Sequence, residues 1–198
     1  CKNENIIIEG LYEISKSGWK RVKLKEEVKK QLYLDYNATT PMSPEVVNAM
    51  LPFLEEHFGN PSSIHSFGRE TRGAIDEARE HVAALVGADH SEIIFTGCGS
   101  ESNNLAIKGV AFSRPGFKGH IITSAIEHSS VLYVCRYLEK IGFQVTYLPV
   151  DTEGRVDPKD IEKAIKKETC LITIHWANNE VGTMEPVAEI GELARQHG

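Results

Sequence analysis

Residues 92–109 read "EIIFTGCGSESNNLAIKG". A short apolar run, Glu92–Thr96, leads into Gly97, Cys98, Gly99 and Ser100, and an amphipathic stretch follows. A strand, a glycine turn and a helix in that order bring backbone N–H groups to a helix N-terminus. There the missing side chains let an anion approach, and the helix contributes partial positive charge. A phosphate is the natural occupant. The same residues also make an ordinary glycine turn with Ser100 capping the next helix, and spacing alone does not choose between the two.

Outward from this stretch the chain alternates. "EIIFT" (92–96), "HIITS" (120–124), "QVTYLPV" (144–150) and "CLITIHW" (170–176) are short, apolar and β-branched, as strands buried on both faces are. Helical stretches lie between and after them, near 101–112, 128–141, 157–167 and 186–197. This alternation predicts an α/β domain of three layers, a mostly parallel sheet flanked by helices. Upstream, Ser43 as N-cap and Pro44 at the first helical position start a helix with Val46, Val47, Met50, Leu51 and Leu54 on one face. "HFGNPSSIHSFG" (57–68) reads as a loop. Ile75, Ala78, Val82 and Leu85 mark a second helix, which Gly87 can end.

Composition narrows the classes. The 198 residues are 41% hydrophobic and 25% charged, enough to bury a sizeable core, and the net charge of −6 argues against a protein built to grip nucleic acid or acidic membranes. Residues 1–31 hold eight Lys/Arg against five Asp/Glu, a net of +3, which leaves −9 to the other 167. That contrast, with Cys1 at the start and the first methionine at Met42, marks 1–31 as an upstream or linker segment and 32–198 as the domain. Cys1, Cys98, Cys135 and Cys170 lie far apart with no C-x-x-C pair, as reduced cytoplasmic thiols do. No apolar run approaches the roughly 18 residues of a membrane span, and no metal site is expected.

In a parallel α/β sheet, ligands bind beyond the carboxyl ends of the strands. Four loops lie there and carry polar residues: the glycine stretch, "SAIEHSSV" (124–131) with His128 between strand and helix, "HWANNEVGTMEP" (175–186) with Asn178 and Asn179, and the segment after Val150. His128 could stack on a flat ring, exchange protons, or only satisfy its hydrogen bonds at the edge of the core. The two asparagines could bind ligand oxygens or shape a turn.

Taken together, these motifs resemble the cysteine desulfurases of the iron–sulfur-cluster and nitrogen-fixation type, within the class V aminotransferase-like pyridoxal-phosphate enzymes. The likeness rests on "YLDYNATTP" (33–41), "FGNPSSIHSFG" (58–68), "EIIFTGCGSESNNLAIKG" (92–109), "HIITSAIEHSSVL" (120–132) and "ANNEVGTMEP" (177–186), in order from about Tyr33 to Gly198. It implies the large domain of fold-type I pyridoxal-phosphate enzymes, incomplete here, and pyridoxal 5'-phosphate as cofactor. Gly99 and Ser100 would bind the phosphate, with Ser100 standing where the family usually has threonine. His128 would lie against the pyridine ring as the catalytic proton-transfer group. Asn179 would hydrogen-bond the phenolic oxygen, and Asn37, Ala38 and Thr39 would lie near the substrate.

The implied reaction converts L-cysteine to L-alanine and passes sulfur as a persulfide to a sulfur-acceptor or iron–sulfur scaffold protein. The complete protein would be a cytoplasmic homodimer. The family's Schiff-base lysine, its pyridine-pairing aspartate and its persulfide cysteine would follow Gly198, so the chain is expected to be an amino-terminal portion, inactive by itself. Neither Lys108 nor Lys140 stands in the Schiff-base motif, and Cys98 is expected to be a small packing residue. A selenocysteine lyase or aminotransferase of the same fold, and a non-catalytic scaffold, remain as alternatives.

Overall fold

The computed structural model describes residues 32–197 apart from Pro115 and Phe117. Before them it gives only the backbone pairing of β1 (Asn5–Ile6) with β4 (Lys29–Lys30), parallel, and of β2 (Leu11–Ser15) with β3 (Gly18–Val22), antiparallel. The remainder of the upstream segment 1–31 lies outside the described residues. The chain divides into two compact units, Cys1–Phe58 and Gly59–Gly198.

In the first unit, α1 (Pro44–Glu55) starts as its sequence dictates: the Ser43 hydroxyl accepts the Val46 N–H, and Pro44 opens the first turn. The apolar stripe Val46, Val47, Met50, Leu51 and Leu54 is exposed. Ahead of it, a turn at Tyr36–Ala38 is closed by the Ala38 N–H on the Asp35 carbonyl at 3.1 Å.

The second unit opens with α2 (Ser66–Val86), which begins inside the stretch expected to be loop. His65 caps it through Nδ1, which accepts the Gly68 N–H at 3.4 Å. A Cβ on Gly68 would stand 2.6 Å from the Asn60 carbonyl oxygen, so glycine lets the preceding loop close over the first turn. Thr71 fastens that closure, its hydroxyl donating to the Gly59 carbonyl at 2.8 Å. Gly87, at φ +69°, ends the helix in the left-handed conformation that glycine adopts without strain.

The sheet holds β5 (His120–Ser124) between β6 (Gln144–Leu148) and β7 (Thr169–Thr173), all parallel. Every residue of β5 is buried, and successive side chains go to opposite faces. Ile121 packs with Ile107 of α3 (Gly99–Phe112) and with Val131, Val134 and Leu138 of α4 (Ser129–Lys140). Ile122 packs on the other face with Val156, with Ile161 of α5 (Pro158–Ala164) and with Ile190 of α6 (Val187–His197). The expected layering of helices on both faces of a parallel sheet is therefore present.

Buried His120 locks the layer from within. Nδ1 meets the Thr169 hydroxyl and Nε2 the Thr146 hydroxyl, each at 2.8 Å, so one ring straps all three strands. Burial holds its pKa below the ordinary value, helped by the positive charge of Lys166.

Two strand expectations are corrected. The segment 92–96 is not a strand of the sheet. It leaves a short 3-10 turn at His90–Glu92 and runs extended through Thr96 without a ladder, with Ile94 68% and Phe95 49% exposed. Among the described residues no strand lies beside it; instead the Arg79 guanidinium donates to the Ile93 carbonyl at 3.2 Å and sits 5.6 Å from the centre of the Phe95 ring. The strand expected over 170–176 ends at Thr173, because the residues after it fold back on themselves: the Glu185 N–H donates to the Trp176 carbonyl, and Ala177 bridges Met184.

Candidate cofactor site

The helix expected from residue 101 starts at Gly99, so Gly99 and Ser100 form the first turn of α3 rather than the loop before it. Cys98 is the N-cap, and its side chain makes no capping hydrogen bond. First-turn amides of a helix have no partner within the helix, and here no N-cap side chain occupies them. The position that a Cβ on Gly99 would take has no neighbour within 4 Å. Open space, uncapped amides, the Ser100 hydroxyl and a 14-residue helix dipole make a cradle that fits a phosphate monoester. The loop in front is fastened by its own polar groups: the Gly97 N–H donates to the Glu101 carboxylate at 2.6 Å, and the Thr96 and Ser102 hydroxyls meet at 2.6 Å.

His128 stands at the matching place on the next element, as N-cap of α4, with its ring exposed. Its Nδ1 accepts the Ser130 N–H at 3.1 Å and lies 2.8 Å from the Ser130 hydroxyl. That hydroxyl in turn accepts from Asn103 of α3 at 2.8 Å, which couples the starts of the two helices. A groove of about 440 Å³ runs between them, lined at one end by Ser100, Asn104, Ser129 and Ser130.

The third loop is tied to the second through Asn178 rather than left open. Asn178 is buried: Oδ1 accepts the Glu180 and Val181 N–H groups at 2.8 and 3.0 Å, and Nδ2 donates to the Ile126 carbonyl at 3.2 Å. It therefore shapes the turn and cannot reach a ligand, contrary to one of the readings open to the Asn pair. Asn179, next along, is exposed, with Nδ2 donating to the Glu180 carboxylate at 3.0 Å.

Beneath these loops lies a cluster that sequence reasoning missed. His175 stands between two buried acids, Nδ1 3.6 Å from Glu127 and Nε2 3.7 Å from Glu185. Glu127 also accepts the Ser124 hydroxyl and the His175 N–H, both at 2.9 Å, and Glu185 accepts the Val156 N–H at 2.9 Å. Glu127 directly precedes His128, so this buried cluster anchors the backbone from which His128 projects. The available signal was a histidine inside the apolar run "CLITIHW" and acids on either side of the loops.

Gly99, Ser100 and His128 thus lie on neighbouring helix starts, and His128 and Asn179 on loops joined by Asn178 and Glu127. Asn37, Ala38 and Thr39 belong to the first unit and are described there alone. Cys98, expected to pack, is exposed, whereas buried Cys135 has its pKa pushed up to about 11 by burial and then by the charges of Glu139 and Glu127. Lys108 lies over the Tyr137 ring, 5.0 Å from its centre. The described residues hold no cluster suited to a metal and no helix long and apolar enough to cross a membrane.

The residue pattern of the class V aminotransferases matches this chain over residues 32–198. The chain belongs to that family. Among its class V relatives, the cysteine desulfurase IscS of Dictyoglomus turgidum is 59% identical over 170 residues, 86% of this chain and 43% of that protein. The mitochondrial cysteine desulfurase of Arthroderma benhamiae is 51% identical over 179 residues, 89% of this chain and 36% of its own length. Among solved structures, SspA in complex with cysteine matches with a TM-score of 0.80 at 49% identity, covering 83% of this chain and 48% of that one. The apo cysteine desulfurase from Thermococcus onnurineus NA1 matches at 0.74 and 31%, covering 83% and 41%. The expected fold is thereby borne out, and the chain spans less than half the length of these relatives.

Proposed function

We propose that this chain is the cofactor-anchoring part of a pyridoxal-phosphate-dependent cysteine desulfurase, which converts L-cysteine to L-alanine and delivers the sulfur as a persulfide to an iron–sulfur scaffold or thiolation acceptor. The observation that carries the reading is the uncapped, glycine-opened start of α3 coupled through Asn103 and Ser130 to the ring of His128. Relatives named as cysteine desulfurases and a neighbour solved with cysteine support the substrate class.

Bound pyridoxal 5'-phosphate supplies an electron sink for the amino-acid substrate. The Gly99 and Ser100 amides and the Ser100 hydroxyl hold its phosphate. His128 would face the ring of the bound cofactor, and Asn179 would donate to its phenolic oxygen. The whole protein works as a cytoplasmic homodimer.

The test is to supply the purified whole protein with pyridoxal phosphate and L-cysteine and to measure alanine and, with a thiol reductant, sulfide. Equal amounts of the two support the reading. Transamination of cysteine without sulfide, or turnover of selenocysteine alone, sinks it. The 198-residue chain by itself should give neither product.

A further inference from the structure

The contacts of His128 have a direction. A backbone N–H can only donate, so the Ser130 N–H at 3.1 Å makes His128 Nδ1 an acceptor. The neutral ring then carries its proton on Nε2. The Ser130 hydroxyl is also polarised: it accepts from the Asn103 amide at 2.8 Å, which leaves its own hydrogen for Nδ1, likewise at 2.8 Å. Ser130 is buried and Asn103 partly so, which sets the relay apart from a chance solvent contact.

We propose that Asn103 and Ser130 are positioning residues that fix His128 as the Nε2–H tautomer, so that it offers a hydrogen-bond donor to the bound cofactor and substrate. While the relay holds, His128 orients its partner through Nε2–H. The start of α3 thereby governs two things at once, the phosphate through Gly99 and Ser100 and the ring-facing imidazole through Asn103. This inference rests on the reading of His128 as the ring-facing residue.

The experiment is nitrogen-15 NMR of histidine-labelled whole protein, first without cofactor, with the His128 signals identified by their loss in His128→Gln. The expected result is one protonated nitrogen at Nε2 and one acceptor nitrogen at Nδ1 at pH 8. Loss of one hydrogen bond in Ser130→Ala or Asn103→Ala should move the tautomer ratio about three- to tenfold toward Nδ1–H, and Ser130→Thr should restore it. A proton found on Nδ1 in the unaltered protein overturns the proposal. So does a ratio that both alanine variants leave unchanged while their melting temperatures stay native. Cofactor is then added and its absorbance followed. An Nε2–H tautomer combined with a cofactor spectrum indifferent to His128→Gln would uphold the relay and refute the ring-facing role, which keeps the two failures apart.

Discussion

His120 and Thr169 meet at 2.8 Å across the central pair of the sheet, and the opposite nitrogen of the same ring holds Thr146 at the same distance. A buried imidazole with both nitrogens on neutral hydroxyls is held toward its uncharged form by burial and by the positive charge of Lys166. Folding therefore excludes a proton that the unfolded chain binds below about pH 6.5. With its pKa lowered in the folded state, His120 contributes stability that is present above that pH and lost as the pH falls toward its folded value. The denaturation midpoint should fall between pH 8 and pH 5 in the unaltered protein and fall less in His120→Gln. Replacement by valine removes both hydrogen bonds to half-buried hydroxyls, about 0.5–1.5 kcal/mol each. Equal pH dependence of the two proteins would remove His120 from this role.

Ser100 supplies the one side-chain hydroxyl on the phosphate cradle at the start of α3. Ser100→Ala keeps the helix and its dipole and deletes only that group. A hydrogen bond to a charged partner is worth about 1.5–3 kcal/mol, so affinity for pyridoxal phosphate should fall roughly ten- to hundredfold, while Ser100→Thr should bind as well as the unaltered protein. Titration of the whole protein with cofactor, followed by absorbance, measures this. An alanine variant of native affinity would move the phosphate elsewhere.

These cases mark how far the sequence could be read. Strands and helices whose apolar residues pack within the second unit, such as Ile121 and Ile122 on opposite faces of β5, were legible because local periodicity and burial agree. "EIIFT" has the same local pattern, yet a strand is defined by its neighbour, and this segment has only the Arg79 side chain. The polar residues of the glycine stretch and of the His128 loop, at the start of α4, were legible, but the placement of Gly99 and Ser100 inside α3, without a strand before it, was not. Hydrogen bonds between residues 27 or 48 positions apart, Asn103 with Ser130 and Glu127 with His175, leave no periodic trace in the chain.

The cluster of Glu127, His175 and Glu185 should be costly to break singly. His175→Ala leaves two carboxyl groups buried without the imidazole that separates them. His175→Ala should destabilise the fold, and combining it with Glu185→Leu should cost less than the sum of the two single losses, because groups in contact are not additive. Chemical denaturation of the single and double variants tests the coupling. Purely additive losses would mean that His175 and Glu185 do not interact.

Asn178 and Asn179 are adjacent in sequence and should separate cleanly by experiment. Asn178→Ala removes the acceptor of the Glu180 and Val181 N–H groups, which shape the third loop, and the donor to Ile126, which ties that loop to the second. At roughly 1 kcal/mol for each bond, stability should drop by about 2–3 kcal/mol, with cofactor affinity falling because the loop is no longer held. Asn179→Ala touches an exposed side chain whose resolved bond is to Glu180. Its melting temperature should stay within about 1 °C of native, while the absorption maximum of bound pyridoxal phosphate shifts with loss of the donor to the phenolic oxygen. The opposite pattern, a stable Asn178 variant with altered absorbance beside an unstable Asn179 variant with a native spectrum, would exchange the roles assigned to the two amides.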